Sequence, residues 1–355
     1  MNKMNRRHFF HTLGAVGTIL EAFPGAGKAS PASAAVKPIT GSWFEFQHAA
    51  TIEGVDWDPA CACFTCEQWE EKIKEIAGTG MDSLVLMSTA LYDRAFFPTK
   101  IFPHWRLHCP DPMESALVAA DEHDVKVFIG AGFYGDWESP YIISDPVAQK
   151  RRLQAIEELA QLYAHHRSFY GWYWPNEAFI NPYFSPAFIH YVNICSRLAR
   201  QLTPKARILI APYGTRRVIP DDKYVKQLES LDVDFVAYQD EVGVRKSTPD
   251  ETPRFYENLR KAHDRAHRSA IWADVEIFQF QGGVYTSPLL PGPFPRILRQ
   301  LEAVSPWVDK VVVYQYQGMM NKPGSSAFCG SPASTALYTA YMDWLKQRRR
   351  QMSNS

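Results

Sequence analysis

Carboxylates recur at one kind of place in this chain, just past a short apolar run. Glu45 closes the first run, Asp93 lies in the loop after the second, and Asp136 follows the third. Glu177 follows the fourth, Asp240 and Glu241 the sixth, while Asp274 and Glu276 close the seventh. Like charges gathered in one place cost stability and raise some carboxyls, which is the signature of acid–base work or of metal binding. The metal reading needs ligands at short spacing. His48, His104 and His108 are the loop histidines near these acids, and no His-x-His or His-Glu-x-x-His motif occurs. A metal catalyst is therefore not expected. A serine hydrolase would want a Gly-x-Ser-x-Gly elbow, and that is absent as well. What remains is a pair of carboxylates working across a cleft, the machinery of glycoside hydrolysis.

These acids converge only if the runs before them share one sheet. Strands are expected at Ile39–Phe46, Ser83–Met87, Lys126–Gly130, Tyr170–Trp174, Ile208–Ala211, Phe235–Tyr238, Ala270–Val275 and Lys310–Tyr314. Such short apolar runs suit strands covered on both faces. Helices are expected between them, near Glu67–Ala77, Pro112–His123, Pro146–His165, Pro186–Leu202 and Asp221–Ser230. Three more fall near Thr252–Arg268, Pro295–Ala303 and Pro332–Arg349. Asp111-Pro112, Asp145-Pro146, Ser185-Pro186 and Ser331-Pro332 each set a capping side chain before a proline, which loses no hydrogen bond at the first helical position. Eight strand–helix units predict an α/β fold, a closed (β/α)8 barrel over residues 36–355, with its site at the C-terminal strand ends. No Gly-rich phosphate loop follows the first strand, so a dinucleotide-binding sheet is disfavoured.

Composition agrees. The 355 residues are 46% hydrophobic and 14% aromatic, enough for a large core and too much for a disordered chain. Lys plus Arg equals Asp plus Glu at 38 each, which gives no bulk attraction for nucleic acid. No apolar run of about 18 residues occurs past the N-terminus, so a polytopic membrane protein is not expected. Ten Trp, 17 Tyr and 21 Phe could be core, or faces on which sugars stack. Trp43, Trp137, Trp174, Trp272, Tyr238 and Tyr314 are candidate sugar contacts, together with Glu45 and Asp136. Strand alternation puts Trp172, Trp174 and Asn176 on one face, and Trp272, Asp274 and Glu276 on one face of the seventh strand. Half of the tryptophans are expected in core packing, and Asp136, between Gly135 and Trp137, fits a turn nearly as well as a sugar contact.

Two motifs sharpen the carboxylate reading. Gly171-Trp172-Tyr173-Trp174-Pro175-Asn176-Glu177 ends the fourth strand, and Ala270-Ile271-Trp272-Ala273-Asp274-Val275-Glu276 ends the seventh. This arrangement resembles the clan of retaining (β/α)8 glycosidases, with Asn-Glu after strand four and a nucleophilic Glu after strand seven. The resemblance implies Glu177 as general acid/base, Glu276 as nucleophile and Asn176 as the group holding the 2-hydroxyl of the reacting sugar. It requires no organic cofactor and implies a carbohydrate substrate. Gly132-Phe133-Tyr134-Gly135-Asp136-Trp137, Tyr238-Gln239-Asp240-Glu241-Val242-Gly243 and Tyr314-Gln315-Tyr316-Gln317-Gly318 extend the likeness. With them, the chain resembles bacterial proteins grouped as domain-of-unknown-function family 4434. It departs from the clan where strand eight offers Tyr314 and Tyr316 in place of a Trp, and strand six adds an acidic pair. Glu241 is the main rival of Glu276, with Asp240 and Asp274 as supporting acids.

Cys61, Cys63 and Cys66 lie in the first loop and Cys109 in the second, a group open to disulfides, free thiols or a bound metal. Cys195, in a helix, reads as a small buried hydrophobe. The N-terminus reads as an address. Asn5-Arg6-Arg7-His8-Phe9-Phe10, a weakly apolar stretch from Thr12 to Phe23, and Ala32-Ser33-Ala34 together resemble a twin-arginine export signal over residues 1–34. Its removal leaves a mildly acidic chain, expected to be periplasmic or secreted and free of the membrane. Replacing Arg6 and Arg7 by lysine should strand unprocessed protein in the cytoplasm, as fractionation and immunoblotting would show. Unchanged secretion of processed protein would exclude this route.

Overall fold

A computed structural model describes residues 36–353 of the chain; the export signal expected over residues 1–34 lies outside them. Eight parallel strands close on themselves. They are β1 (Gly41–Phe44), β2 (Ser83–Leu86), β3 (Lys126–Gly130), β4 (Phe169–Tyr173), β5 (Arg207–Ile210), β6 (Phe235–Gln239), β7 (Ala270–Glu276) and β8 (Lys310–Tyr314). Each pairs with its neighbours in sequence, and β8 returns to β1 with Gly41 opposite Val312. The apolar runs of the sequence are these strands, shifted by a residue or two at their ends.

The helices that cover the strands are α1 (Cys66–Gly78), α2 (Pro112–Glu122), α3 (Pro146–Tyr163) and α4 (Pro186–Leu202), then α5 (Asp222–Ser230), α6 (Thr252–Ala266), α7 (Phe294–Val304) and α8 (Ala333–Ser353). The expected caps are made. The carboxylate of Asp111 accepts from the Glu114 amide at 3.0 Å, Asp145 from Val147 at 2.9 Å, and the hydroxyl of Ser185 from Phe188 at 3.2 Å. Ser331 takes the Ala333 amide at 3.2 Å. Each bond satisfies an amide that the helix itself leaves without a partner. Shorter elements missed by the sequence pattern sit in the loops between strand and helix. They are a helix over Asp58–Cys63, a 3-10 turn over Thr215–Arg217, and two hairpins. One hairpin pairs Ala90–Leu91 with Arg94–Ala95, the other Phe278–Phe280 with Leu289–Pro291.

Two packed regions hold the barrel. Inward-facing residues Trp43, Val85, Phe128, Tyr173, Leu209, Ala237, Trp272 and Val312 fill its interior. Trp272 forms the base of this filling. Its ring stacks on Phe235 at 4.4 Å between centroids and takes the Phe128 ring at 5.9 Å, while the Lys310 ammonium lies 5.3 Å from its centre. The larger region lies between strands and helices and includes Trp172 and Trp174, stacked on each other. At Gly171 a β-carbon would run into the Arg207 carbonyl, so close pairing of β4 with β5 requires glycine there.

Two ties outside the sheet hold neighbouring segments together. Cys66 and Cys109 form a disulfide that joins the start of α1 to the segment before α2 across 43 positions. Closing a loop of that length contributes about 4 kcal/mol in the chain-entropy picture. Before β1, the Lys37 amide donates to Ser305 at 2.8 Å and the Ile39 amide to the Tyr341 hydroxyl at 3.0 Å. The Arg348 guanidinium donates to the Val36 carbonyl at 3.0 Å, clasping this segment to α8. Because Trp272 supports the interior of the barrel, Trp272→Ala should cost about 3–5 kcal/mol in denaturant unfolding. A loss under about 1 kcal/mol would mean that the ring is not part of the packed interior.

Candidate active site

Parity along β7 decides which of its acids meet the cleft. Trp272, Asp274 and Glu276 face inward, with Trp272 below and the two acids rising above it, Asp274 beside Gln239 and Glu276 beside Tyr314. Both acids line a cleft at the C-terminal end of the strands. Asp274 is 3% exposed, and its Oδ1 has no hydrogen-bond partner. Burial, reinforced by Glu276, Asp240 and Glu177, holds its carboxyl well above the usual range. Glu276 Oε2 accepts the Val244 amide at 2.8 Å. Burial and the nearby Asp240 and Glu241 push Glu276 up to about 8, against that amide and Lys246.

Parity also sorts the segment after β4. Pro175 and Glu177 line the cleft, whereas Trp174 and Asn176 turn to the helices. The Trp174 indole donates to Ser196 at 3.0 Å, and the Asn176 amide to the Tyr191 hydroxyl at 3.2 Å. Asn176 is 1% exposed and does not line the cleft, which corrects its expected contact with a sugar 2-hydroxyl. Glu177 is carried on a loop tied to the next one by a pair of backbone bonds, Ile180 to Tyr213 and Tyr213 to Ala178, each at 2.9 Å.

The acidic pair after β6 divides its labour. Asp240 is buried and braces the backbone, accepting from the amides of Glu276 and Val242 at 3.2 Å and from Gln300 at 2.7 Å. It does not line the cleft, so it supports Glu276 from behind. Glu241 stands on a left-handed residue, φ 56°, and enters the cleft. Its Oε2 accepts the Gly214 amide at 3.0 Å. Burial raises its carboxyl, opposed by Lys246 and Arg216.

A second wall rises from β1 and β8. His48 Nδ1 meets Glu45 at 2.8 Å, and Nε2 meets Glu53 at 3.3 Å. Burial works against charge on this imidazole, but the two carboxylates push it up to about 10. Glu45 also accepts from Gln315 at 2.8 Å and from the Tyr314 hydroxyl at 3.2 Å. Although burial disfavours its charge, His48 and these donors keep the Glu45 carboxyl below its ordinary value. Glu45 and Tyr314 line the cleft as part of this hydrogen-bonded network. Asp58, behind this wall, is pushed up to about 7 by burial and by Glu45.

Other sugar-contact expectations fall on both sides of the line. Trp137 lines the cleft, its indole donating to the Tyr92 hydroxyl at 3.3 Å. Trp43 and Trp272 lie beneath it in the barrel filling, and Tyr238 faces the helices, bonded to Tyr224 at 2.8 Å and His263 at 2.9 Å. Asp136 is exposed and takes the Glu138 amide at 3.1 Å, a turn-forming bond, and Asp93 is exposed. These positions are corrections: Trp43 and Trp272 face inward but lie too deep in the barrel, Tyr238 falls on the outward face of β6, and Asp136 serves a turn. Cleft residues that the sequence reading did not single out include Lys246, Tyr213, Tyr285, Phe278 and Gln239. They sit on loops and a hairpin, where no periodic signal exists; Gln239, inward at the end of β6, could have been found by parity. Of the cysteines, Cys66 and Cys109 pair; Cys61 is buried and accepts from Gln317, and Cys63 is exposed. Among the described residues, no three His, Cys, Asp or Glu side chains are grouped to hold a metal ion, and no helix is long and apolar enough to cross a membrane.

An acid-lined cleft at the C-terminal mouth of a (β/α)8 barrel is the class that fold and site define. The chain belongs to the family described as Domain of unknown function (DUF4434), whose model matches residues 39–327. No curated protein matches it. Among solved structures it is similar to a Bacteroides thetaiotaomicron protein described as a "putative alpha-L-fucosidase", with 17% identity and a TM-score of 0.67 over 91% of this chain and 99% of that one. It is also similar to a GH2 beta-galacturonidase from Eisenbergiella tayi, 14% identical, with a TM-score of 0.54 over 87% of this chain and 51% of that one. A beta-galactosidase from Marinomonas ef1 is 10% identical, with a TM-score of 0.55 over 82% of this chain and 60% of that one. The chain thus spans about half to three-fifths of the length of the last two. At these identities the likeness is one of fold alone.

The raised acids carry a signature in stability. Unfolded, Asp274 and Glu276 would lose their protons near pH 4. Folded, burial and mutual crowding raise both carboxyls, so the pair keeps a shared proton well above that range. The folded state binds more protons across that window, so these groups contribute stability that is lost as pH rises through it. Thermal melts between pH 5 and 8 should show a decline that Asp274→Asn and Glu276→Gln each flatten. A decline of unchanged slope in both variants would refute the assignment.

Proposed function

We propose that this protein hydrolyses glycosidic bonds with retention of configuration, using Glu177 as general acid/base and Glu276 as nucleophile. One observation carries the reading. Acids from the ends of β4 and β7, which no local sequence contact joins, line the same cleft. In this reading Glu177 protonates the departing oxygen while Glu276 attacks the anomeric carbon. Glu177 then takes a proton from the water that releases the glycosyl intermediate.

A nucleophile must be ionised, and Glu276 is raised by its surroundings. The β7 pair resolves this by unequal support. Glu276 accepts a backbone amide and has Lys246 near it, whereas Asp274 Oδ1 accepts nothing. Hydrogen bonds and a neighbouring cation favour the charged form, so the proton shared by the pair belongs on Asp274 and the charge on Glu276. Trp137, Tyr213, Tyr285 and Tyr314 line the same space and supply faces and hydroxyls suited to a sugar. We further infer that the enzyme acts outside the cytoplasm. The paired arginines of the N-terminal segment support this, as does the Cys66–Cys109 disulfide, a bond favoured by oxidising compartments.

A reducing-sugar screen against a broad panel of polysaccharides and aryl glycosides would first identify a substrate. Glu276→Ala should then abolish turnover, with azide partly restoring it by attack from the vacated side. Glu177→Ala should slow turnover by about 10²–10⁴-fold, most for poor leaving groups that depend on protonation. Activity kept in Glu276→Ala but lost in Glu241→Ala would move the nucleophile to the loop after β6. Sugar binding with no turnover would replace the enzyme with a binding barrel.

A further inference from the structure

Resting on the glycoside reading, we propose that the cleft is built for an amino sugar, a glycan unit carrying a free amine, whose ammonium pairs with the Asp274 carboxylate. The charges around the cleft are unequal. Glu45, Glu53, Glu177, Glu241, Asp274 and Glu276 line it, against His48 and Lys246 as basic groups. His48 is committed, one nitrogen on Glu45 and the other on Glu53. Lys246 sits on the opposite side, its ammonium 5.4 Å from the ring centres of both Tyr213 and Tyr285 and near Glu241 and Glu276.

Hydrolysis with retention uses two carboxylates, and Asp274 is a third. It sits on the inward face two residues before Glu276, nearly buried, with an oxygen that no donor of the protein satisfies. A buried acceptor without a partner costs free energy, and a ligand that completes it recovers that cost. The groups whose charge bears on it are Glu276 on its own strand, Asp240 after β6 and Glu177 after β4, with the inward-facing Tyr173 of β4 near it. These are acids and a phenol, with no cation among them, so the missing complement is a positive donor. Among the described residues the acids are not grouped to ligate a metal, which leaves an organic ammonium.

The proton balance follows. Before an amine arrives, Asp274 is the protonated member of the group. An arriving ammonium keeps its own three protons and forms an ion pair with the carboxylate, and the carboxyl proton leaves to solvent. A uronate, by contrast, would add a negative charge to a cleft already crowded with them, and a neutral hydroxyl would meet the acid without releasing anything.

The test uses free hexoses, which need no knowledge of linkage. Titration calorimetry at pH 6 in two buffers of different ionisation enthalpy would compare glucosamine, galactosamine and mannosamine with glucose, galactose and mannose, and with the matching uronates. At least one amino hexose should bind about tenfold more tightly than its hydroxyl counterpart, a difference of about 1.4 kcal/mol, and release up to one proton per site. Asp274→Asn should bring the pair within about twofold and end the proton release, and its unchanged circular dichroism would certify folding. Equal binding of amine and hydroxyl, tighter binding of a uronate, or a preference that survives Asp274→Asn would overturn the inference while leaving the glycosidase reading in place. If no free sugar of any class binds, the amino-sugar inference falls, while the glycosidase reading stands or falls on the polysaccharide screen.

Discussion

The structure turns on the cost of holding carboxyls close together in a nearly dry space. Closing the barrel brings the end of β7 and the loops after β4 and β6 around one space, so Asp274, Glu276, Glu241 and Glu177 share one cleft. In water such a group would ionise and separate. Here burial removes the solvent that would stabilise the charges, and the Asp274–Glu276 pair keeps a proton instead. An arrangement this costly persists only where the surrounding backbone is rigid enough to enforce it. Asp240 supplies part of that rigidity by spending its carboxylate on the Glu276 and Val242 amides and on Gln300.

The facing wall solves the same problem by a different route. Glu45 and Glu53 are stabilised by an imidazolium rather than by protons, and Gln315 and Tyr314 fill the remaining lone pairs of Glu45. One side of the cleft is thus electrically quiet and the other reactive. Beneath both lies a hydrophobic filling, with Trp272 stacked on Phe235, that keeps water from reaching the acids from below. Hairpins in the loops shape the rim. The Leu289 amide donates to the Glu53 carbonyl at 3.1 Å, joining the hairpin after β7 to the loop after β1.

The barrel was legible because its strands are covered on both faces and so stand out as apolar runs, while proline and a capping side chain mark several helix starts. Glu45, Glu177, Glu241 and Glu276 were legible for the same reason, as charges just past such runs, whereas Asp240, Asp136 and Asp93 stand at similar places and turn elsewhere. The errors lie in side-chain direction. Trp174 and Asn176 share a face with Trp172, and that face packs on helices, so the alternation already present in the fourth run argues against a sugar contact for either. Tyr238 lies one residue from inward-facing Ala237 and must point outward. Lys246, Tyr213 and Tyr285 come from loops or a hairpin end, where position depends on long-range closure and no local period reports it.

The clasp of the first described residues onto α8 sets a direction for the whole molecule. Strands of a barrel run toward the mouth, so Val36 to Ile39, bonded to Arg348, Ser305 and Tyr341, lie at the opposite pole. A group joined ahead of Val36, whether a bead, a fused protein or an affinity handle, departs from the pole farthest from the acids. Immobilised through that side, the barrel presents its opening outward, accessible to a polymer too large to diffuse around it.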